Sequence, residues 1–225
     1  MNKTRTATLI GATGLVGGHL LARLQTDPFF TDIRLLVRRP FAGTDRKTVN
    51  KLLDFTDAEA FRLAIDGSDV VFCAIGTTQK KVNGDRDAYR KIDFDIAVSA
   101  ARHCRDTGCP TFVLVSSVGA DTRSGNFYLR LKGEIEEAIT ALSLSSVSFF
   151  RPSMLLGQRG ESRPAERAGQ IAMKAFSFAL PKRLKPVSAQ DVAAAMLQAG
   201  KEPAPGVHVY EYGEITKLAA DLTAS

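Results

Sequence analysis

The segment Gly11-Ala12-Thr13-Gly14-Leu15-Val16-Gly17 lies between an apolar run, Ala7 to Ile10, and a helical pattern over Gly14 to Gln25. It constrains what this chain can fold into more than any other feature. Gly11 permits a tight turn, Gly14 lets backbone N–H groups approach a pyrophosphate, and Gly17 allows the helix to lie close to the strand. Ala12, Thr13, Leu15 and Val16 complete the candidate cradle. A glycine turn of this kind is informative because it follows a strand and opens a helix at the start of an alternating pattern.

The alternation continues. Ile33–Val37, Val49–Leu53, Val70–Ile75, Phe112–Ser116 and Val147–Phe150 read as strands, and Asp87–Cys104 and Tyr128–Leu142 as helices. Runs that are apolar throughout, such as Val70-Val71-Phe72-Cys73-Ala74-Ile75, suit strands covered on both faces. The expectation is an α/β fold: a Rossmann-type, doubly wound parallel sheet with helices on both faces. At 225 residues one domain is expected, with a core over 1–151 and a small C-terminal substrate lobe mainly over 152–225. Within that lobe, Gly157 to Arg167 is polar, Ile171 to Leu180 is an apolar helical piece, and Pro181 to Pro186 is prolyl. Ser188-Ala189-Gln190-Asp191 reads as a capping box opening a helix that Gly200 ends. A short strand, Val207–Tyr210, and a helix, Glu214–Leu222, close the chain.

Composition narrows the function classes. The formal charge of +6 comes from scattered basic residues rather than a continuous run, which argues against nucleic acid and suits an anionic cofactor. No window reaches the apolar length of a membrane span, and the first residues lack the pattern of a signal peptide, so a cytoplasmic protein is expected. Cys73, Cys104 and Cys109 lack C-x-x-C spacing and read as buried thiols, while His19, His103 and His208 have no partner spacing for metal or triad chemistry. No metal is expected.

Four groups of residues carry candidate chemistry. Arg38 and Arg39 follow the second strand, where a domain binding NAD usually places an acid, and a guanidinium pair suits a 2′-phosphate. NADPH is therefore expected over NADH. Asp54 and Phe55, beyond the third strand, are candidates to lie along the adenine. Ala74, Ile75 and Gly76 form a small-residue turn that can pass beneath the cofactor. Finally, Tyr128 and Lys132 are four residues apart, which puts both on one helix face after a strand ending in Ser116-Ser117. An ammonium beside a phenol favours the phenolate, so Tyr128 can exchange a proton with a carbonyl or alcohol oxygen that Ser117, or else Ser116, hydrogen-bonds.

These residues resemble the short-chain dehydrogenase/reductase superfamily in its atypical branch. Cys73 to Thr78, Leu114 to Asp121, Asn126 to Glu134, Phe150-Arg151-Pro152 and Glu161 to Pro164 resemble, more closely, the HIV Tat-interactive protein family of NADPH-binding, oxidoreductase-like proteins. The resemblance implies cofactor contacts at the glycine turn, Arg38, Arg39, Ala74, Ile75, Tyr128 and Lys132, with Leu155 and Arg163 added, and gives Tyr128 the proton-acceptor role. The expected function is an NADPH-dependent oxidoreductase acting on a small carbonyl or alcohol, and the expected state a monomer or homodimer. The alternatives are an NADPH-sensing interaction protein and, less well suited to a short lobe, an epimerase or dehydratase. One departure stands out: Asp93 occupies the helix position where many superfamily members carry the Asn of a proton relay to the lysine. The substrate lobe, Met154 to Pro186, mixes Arg159, Arg163 and Arg167 with Met173, Phe176 and Phe178, so the sequence leaves the substrate open.

Overall fold

The structure, a computed structural model, describes residues 4–156 and 181–224. Its element order is β1 (Thr6–Ile10), α1 (Leu15–Thr26), β2 (Asp32–Val37), β3 (Thr48–Leu52), α2 (Ala58–Ile65), β4 (Val70–Cys73), α3 (Arg86–Arg90), α4 (Ile96–Thr107), β5 (Thr111–Val115), α5 (Phe127–Thr140), β6 (Ser146–Phe150), β7 (Leu155–Leu156), β8 (Val187–Ser188), α6 (Ala189–Lys201), β9 (Gly206–Tyr210) and α7 (Tyr212–Ala224). Seven strands form one sheet in the order β3-β2-β1-β4-β5-β6-β9, and β7 pairs with β8 in a second, two-stranded sheet. Every pairing in the larger sheet is parallel. This is the expected Rossmann-type architecture.

Successive side chains of a strand point to opposite faces, so strands sandwiched between helices bury both faces and are mostly apolar. The two cores divide accordingly. Leu9, Phe72, Val113 and Phe150 pack with α1, α6 and α7 on one face. Ile10, Val71, Cys73, Phe112, Leu114 and Phe149 pack with α2, α4 and α5 on the other. All three cysteines are free and buried, as their apolar surroundings lead one to expect.

Departures from the sequence reading have local causes. The short helix α2 was not expected; Asp57 caps it by accepting from the Ala60 N–H at 3.0 Å. The long Asp87–Cys104 helix is instead α3, a π-helical turn over Lys91–Asp95, and α4. Ser188 does cap α6, accepting from the Asp191 N–H at 2.9 Å. Gly200, however, lies inside α6 rather than ending it. A Cβ there would lie 2.3 Å from the Phe72 ring, so this glycine marks a close approach of helix to sheet. α6 and β9, expected in the substrate lobe, belong to the main layers: α6 is buried against the sheet and β9 is its edge. The expected helix Ile171–Leu180, and with it Arg159, Arg163, Arg167, Met173, Phe176 and Phe178, lies outside the described residues.

Candidate functional site

The strand order reverses direction between β1 and β4, and the connections that leave their carboxyl ends part to opposite sides. A crevice opens there in any doubly wound sheet. Here it is a cleft of about 640 Å³, lined by Gly11, Ala12, Thr13 and Gly14 after β1 and by Ala74, Ile75, Gly76 and Thr77 after β4. Val37, Arg38, Arg39 and Pro40 line it from the end of β2, and Phe55, Lys81, Ile92 and Ile96 complete the wall. The floor is tight. The Ala74 N–H donates to the Ile10 carbonyl at 2.9 Å, and a Cβ on Gly11, whose φ is +91°, would lie 2.6 Å from the Ala74 carbonyl. Gly14 opens α1 with no side chain capping it and no acidic residue in the first turn. The unpaired amides and positive end of that helix are thus available to an anion, in a cradle that side chains on the glycines would fill. These residues fit a dinucleotide's diphosphate.

Gly17 sets the geometry of the cradle rather than its lining. A Cβ at this position would stand 2.1 Å from the Gly11 carbonyl oxygen, which is backbone and cannot swing aside. Gly17→Ala is expected to destabilise the protein by about 1–3 kcal/mol and to weaken coenzyme binding together with it. Urea unfolding and a coenzyme titration check both; an unchanged midpoint would mean that α1 can shift freely away from the turn.

The second constellation stands on α5. Asn126 caps this helix, accepting from the Tyr128 and Leu129 N–H groups at 2.9 and 3.2 Å. Lys132 follows one turn later, with Nζ 5.9 Å from the centroid of the Tyr128 ring. Its ammonium is 3.1 Å from Asp93 Oδ2, and the two side chains are only 5% and 1% exposed. Burial draws the Lys132 pKa down, but the Asp93 carboxylate and the Tyr128 phenol oppose it, and the balance lies above the ordinary lysine value. Asp93 is carried by the π-helical turn, and its Oδ1 accepts from the Thr77 N–H at 2.8 Å. The Tyr89 hydroxyl donates to the Thr77 carbonyl at 3.1 Å, and burial pushes that phenol well above its usual pKa.

The two serines after β5 separate clearly. Ser116 is buried and its hydroxyl donates to Glu136 on α5; Glu136 in turn accepts from Arg151 Nε at 3.0 Å. Among the described residues, Ser117 Oγ has only a local bond, to the Val118 carbonyl at 3.3 Å. Ser116 is therefore committed to tying β5, α5 and β6 together.

Of the residues singled out in the sequence, Gly11, Ala12, Thr13, Gly14, Arg38, Arg39, Phe55, Ala74, Ile75 and Gly76 meet in the cleft. Leu15, Val16 and Gly17 lie in α1 behind it. Asp54 faces its own turn, accepting from the Thr56 N–H and hydroxyl at 2.9 and 2.8 Å. Leu155 pairs with Val187 between β7 and β8, and Arg163 lies outside the described residues. Ser117, Tyr128 and Lys132 do not line the cleft, but Lys132 is joined to Thr77 of its wall through Asp93. Glu136 was missed, and Arg151 was noted only within a motif, without a role. Glu136 had a signal: it continues the four-residue spacing of Tyr128 and Lys132 along one helix face.

Comparison with known proteins identifies the family and the fold. A family model described as NAD(P)H-binding matches residues 11–203. The chain is 36% identical over 180 residues to the mitochondrial protein fmp52 of Emericella nidulans, covering 77% of this chain and 75% of that protein. It is 34% identical over 167 residues to protein HTATIP2 of Rattus norvegicus, covering 73% and 68%. Among solved structures, MoeE5 in complex with UDP-glucose and NAD shares the fold at a TM-score of 0.67 and 16% identity, over 97% of this chain and 82% of that one. The UDP-glucose 4-epimerase of Thermotoga maritima does so at 0.68 and 14%, with the same coverage.

Two expectations are corrected. The preference for NADPH is not upheld: two similar solved complexes, both of MoeE5, hold NAD. The physical reason is that Arg38 and Arg39 are exposed at the rim, where a guanidinium can stack on an adenine or donate to ribose hydroxyls without any 2′-phosphate. The cytoplasmic expectation is overturned by the fungal relatives, which are mitochondrial proteins. Composition describes a folded domain and does not fix its compartment. Among the described residues, no helix is long and apolar enough to cross a membrane. By the match of its family model and by its relatives over most of their length, the chain belongs to the family of NAD(P)H-binding, oxidoreductase-like proteins.

Proposed function

We propose that this chain, acting as a single domain, is an oxidoreductase that uses NAD(H) to interconvert a small carbonyl compound and its alcohol. The observation that carries the reading is the link between two features: a diphosphate-sized cradle at the switch point, and a Tyr-Lys helix joined to its wall through Asp93. A bound nicotinamide dinucleotide supplies the hydride donor or acceptor. The protein's own residues do the rest. Backbone amides at the start of α1 hold the diphosphate, and Arg38 and Arg39 flank the adenosine end. Tyr128 holds the proton at its hydroxyl oxygen for delivery to the substrate oxygen, and Ser117 Oγ orients that oxygen by a hydrogen bond. Lys132 keeps a positive charge one turn away from the phenol.

Incubating the protein and NADH with a panel of small aldehydes and ketones tests the proposal, followed by loss of the reduced-nicotinamide absorbance. Protein-dependent oxidation with at least one class of carbonyl is the expected result. Saturable NADH binding with no oxidation across the panel would contradict it and favour a coenzyme-sensing interaction protein.

A further inference from the structure

Lys132 and the Thr77 amide are donors that belong to different parts of the molecule, one on α5 and one on the turn after β4, and both end on the same side chain. The carboxylate of Asp93 offers two acceptor oxygens to them: Oδ2 to Lys132 Nζ at 3.1 Å and Oδ1 to Thr77 N at 2.8 Å. An asparagine there has one acceptor and one NH₂ donor, so it can satisfy one of the two and must turn a donor toward the other. The backbone is adapted to this task. The π-helical turn Lys91–Asp95 interrupts the run of α3 and α4 and carries Asp93 inward to 1% exposure. Such turns commonly mark functional positions.

We infer that Asp93 is a positioning residue, which clamps the wall of the coenzyme cleft to the Tyr-Lys helix and keeps the Lys132 ammonium charged and aimed at the site. The inference rests on the coenzyme reading above for its functional consequence, but the clamp itself is a property of the chain. Among the described residues, the titratable groups acting on Lys132 are Asp93 from the π-helical turn, Tyr128 from α5, and Cys73 from β4. Burial pushes the Cys73 thiol up to about 11, so it stays neutral through the physiological range. Asp93 is thus the counter-charge that holds the lysine protonated against its burial. Because the folded value is raised, this contribution is complete below the unfolded lysine pKa of about 10.4 and is lost only as pH rises through the still higher folded value. Without the carboxylate, desolvation acts alone and drives the lysine toward its neutral form.

The test is Asp93→Asn, followed by two readouts. In protein labelled with ¹³C-lysine, the Lys132 ε-carbon, assigned by its absence in Lys132→Met, should titrate at least about one pH unit lower in Asp93→Asn than in wild type. In parallel, the NADH dissociation constant of Asp93→Asn should rise about twofold or more between about pH 7 and about pH 9.5, with wild type flat over the same range. A lysine that titrates equally in both proteins overturns the inference, as does a flat, unchanged affinity profile in the variant. If neither protein binds NADH, the coenzyme reading falls, and the ε-carbon titration still decides the clamp. Should Asp93→Asn fail to fold, wild type decides alone: titration of Lys132 above about pH 10.4 supports the assignment and titration below it overturns it.

Discussion

Replacing Tyr128 by Phe is expected to lower kcat by about 10²- to 10⁴-fold, the usual contribution of a positioned acid or base, while the NADH dissociation constant stays within about twofold. The split follows from how the residue is held. Its backbone is placed by the Asn126 cap, and its ring is partly buried with Phe127 and Phe94 among the aromatic residues packed on the same core. A phenyl ring keeps that packing and loses only the hydroxyl. The loss should therefore fall on the chemical step, not on the coenzyme. Steady-state rates on any carbonyl that wild type turns over, with NADH binding by fluorescence, check it. Turnover equal to wild type would remove Tyr128 from the chemistry, and a matching loss of NADH affinity would recast it as a coenzyme contact.

Lys132→Met is expected to destabilise the fold by about 3–5 kcal/mol, because it leaves the Asp93 carboxylate buried without its counter-ion. Both side chains are almost fully buried, so water cannot replace the lost partner. The pH dependence has a definite sign. Wild-type Lys132 has a raised pKa, so the stability deficit of the variant is full at neutral pH. Toward high pH it shrinks as wild type loses its own lysine proton, above about pH 10.4. Replacing the pair together, as Asp93→Leu with Lys132→Met, should recover much of the loss, since apolar side chains of similar volume often match a buried pair. Urea unfolding of the two singles and the double gives the coupling energy directly. A Lys132→Met deficit below about 1 kcal/mol would mean that the pair is effectively solvated, contrary to its burial.

What the sequence disclosed was what is local. The glycine turn, the fully apolar central strands and the Ser188 cap are each written within a few residues, and each has a physical consequence that can be read without neighbours. From them came the parallel sheet, its helices on both faces, and the turn that lines the cleft. Contacts between distant segments were not legible. Nothing near Gly200 announces the ring of Phe72, and nothing near Asp93 announces Lys132 and Thr77, although the residue itself stood out as a departure. The π-helical turn is invisible to a periodicity of 3.6, because one extra residue per turn leaves the apolar pattern on either side intact. Arg38 and Arg39 show a different limit. Their position at the end of β2 was correct, but a guanidinium is a versatile donor, and its presence did not select the phosphorylated coenzyme.

Isothermal titration of the folded protein with NADH is the most direct test of the claim that the crevice between β1 and β4 holds a nicotinamide dinucleotide. Saturable heat at one site per chain, greatly weakened in Gly17→Ala, is the result this structure predicts. Natively folded protein that takes up neither the reduced nor the oxidised form of any nicotinamide coenzyme would contradict it.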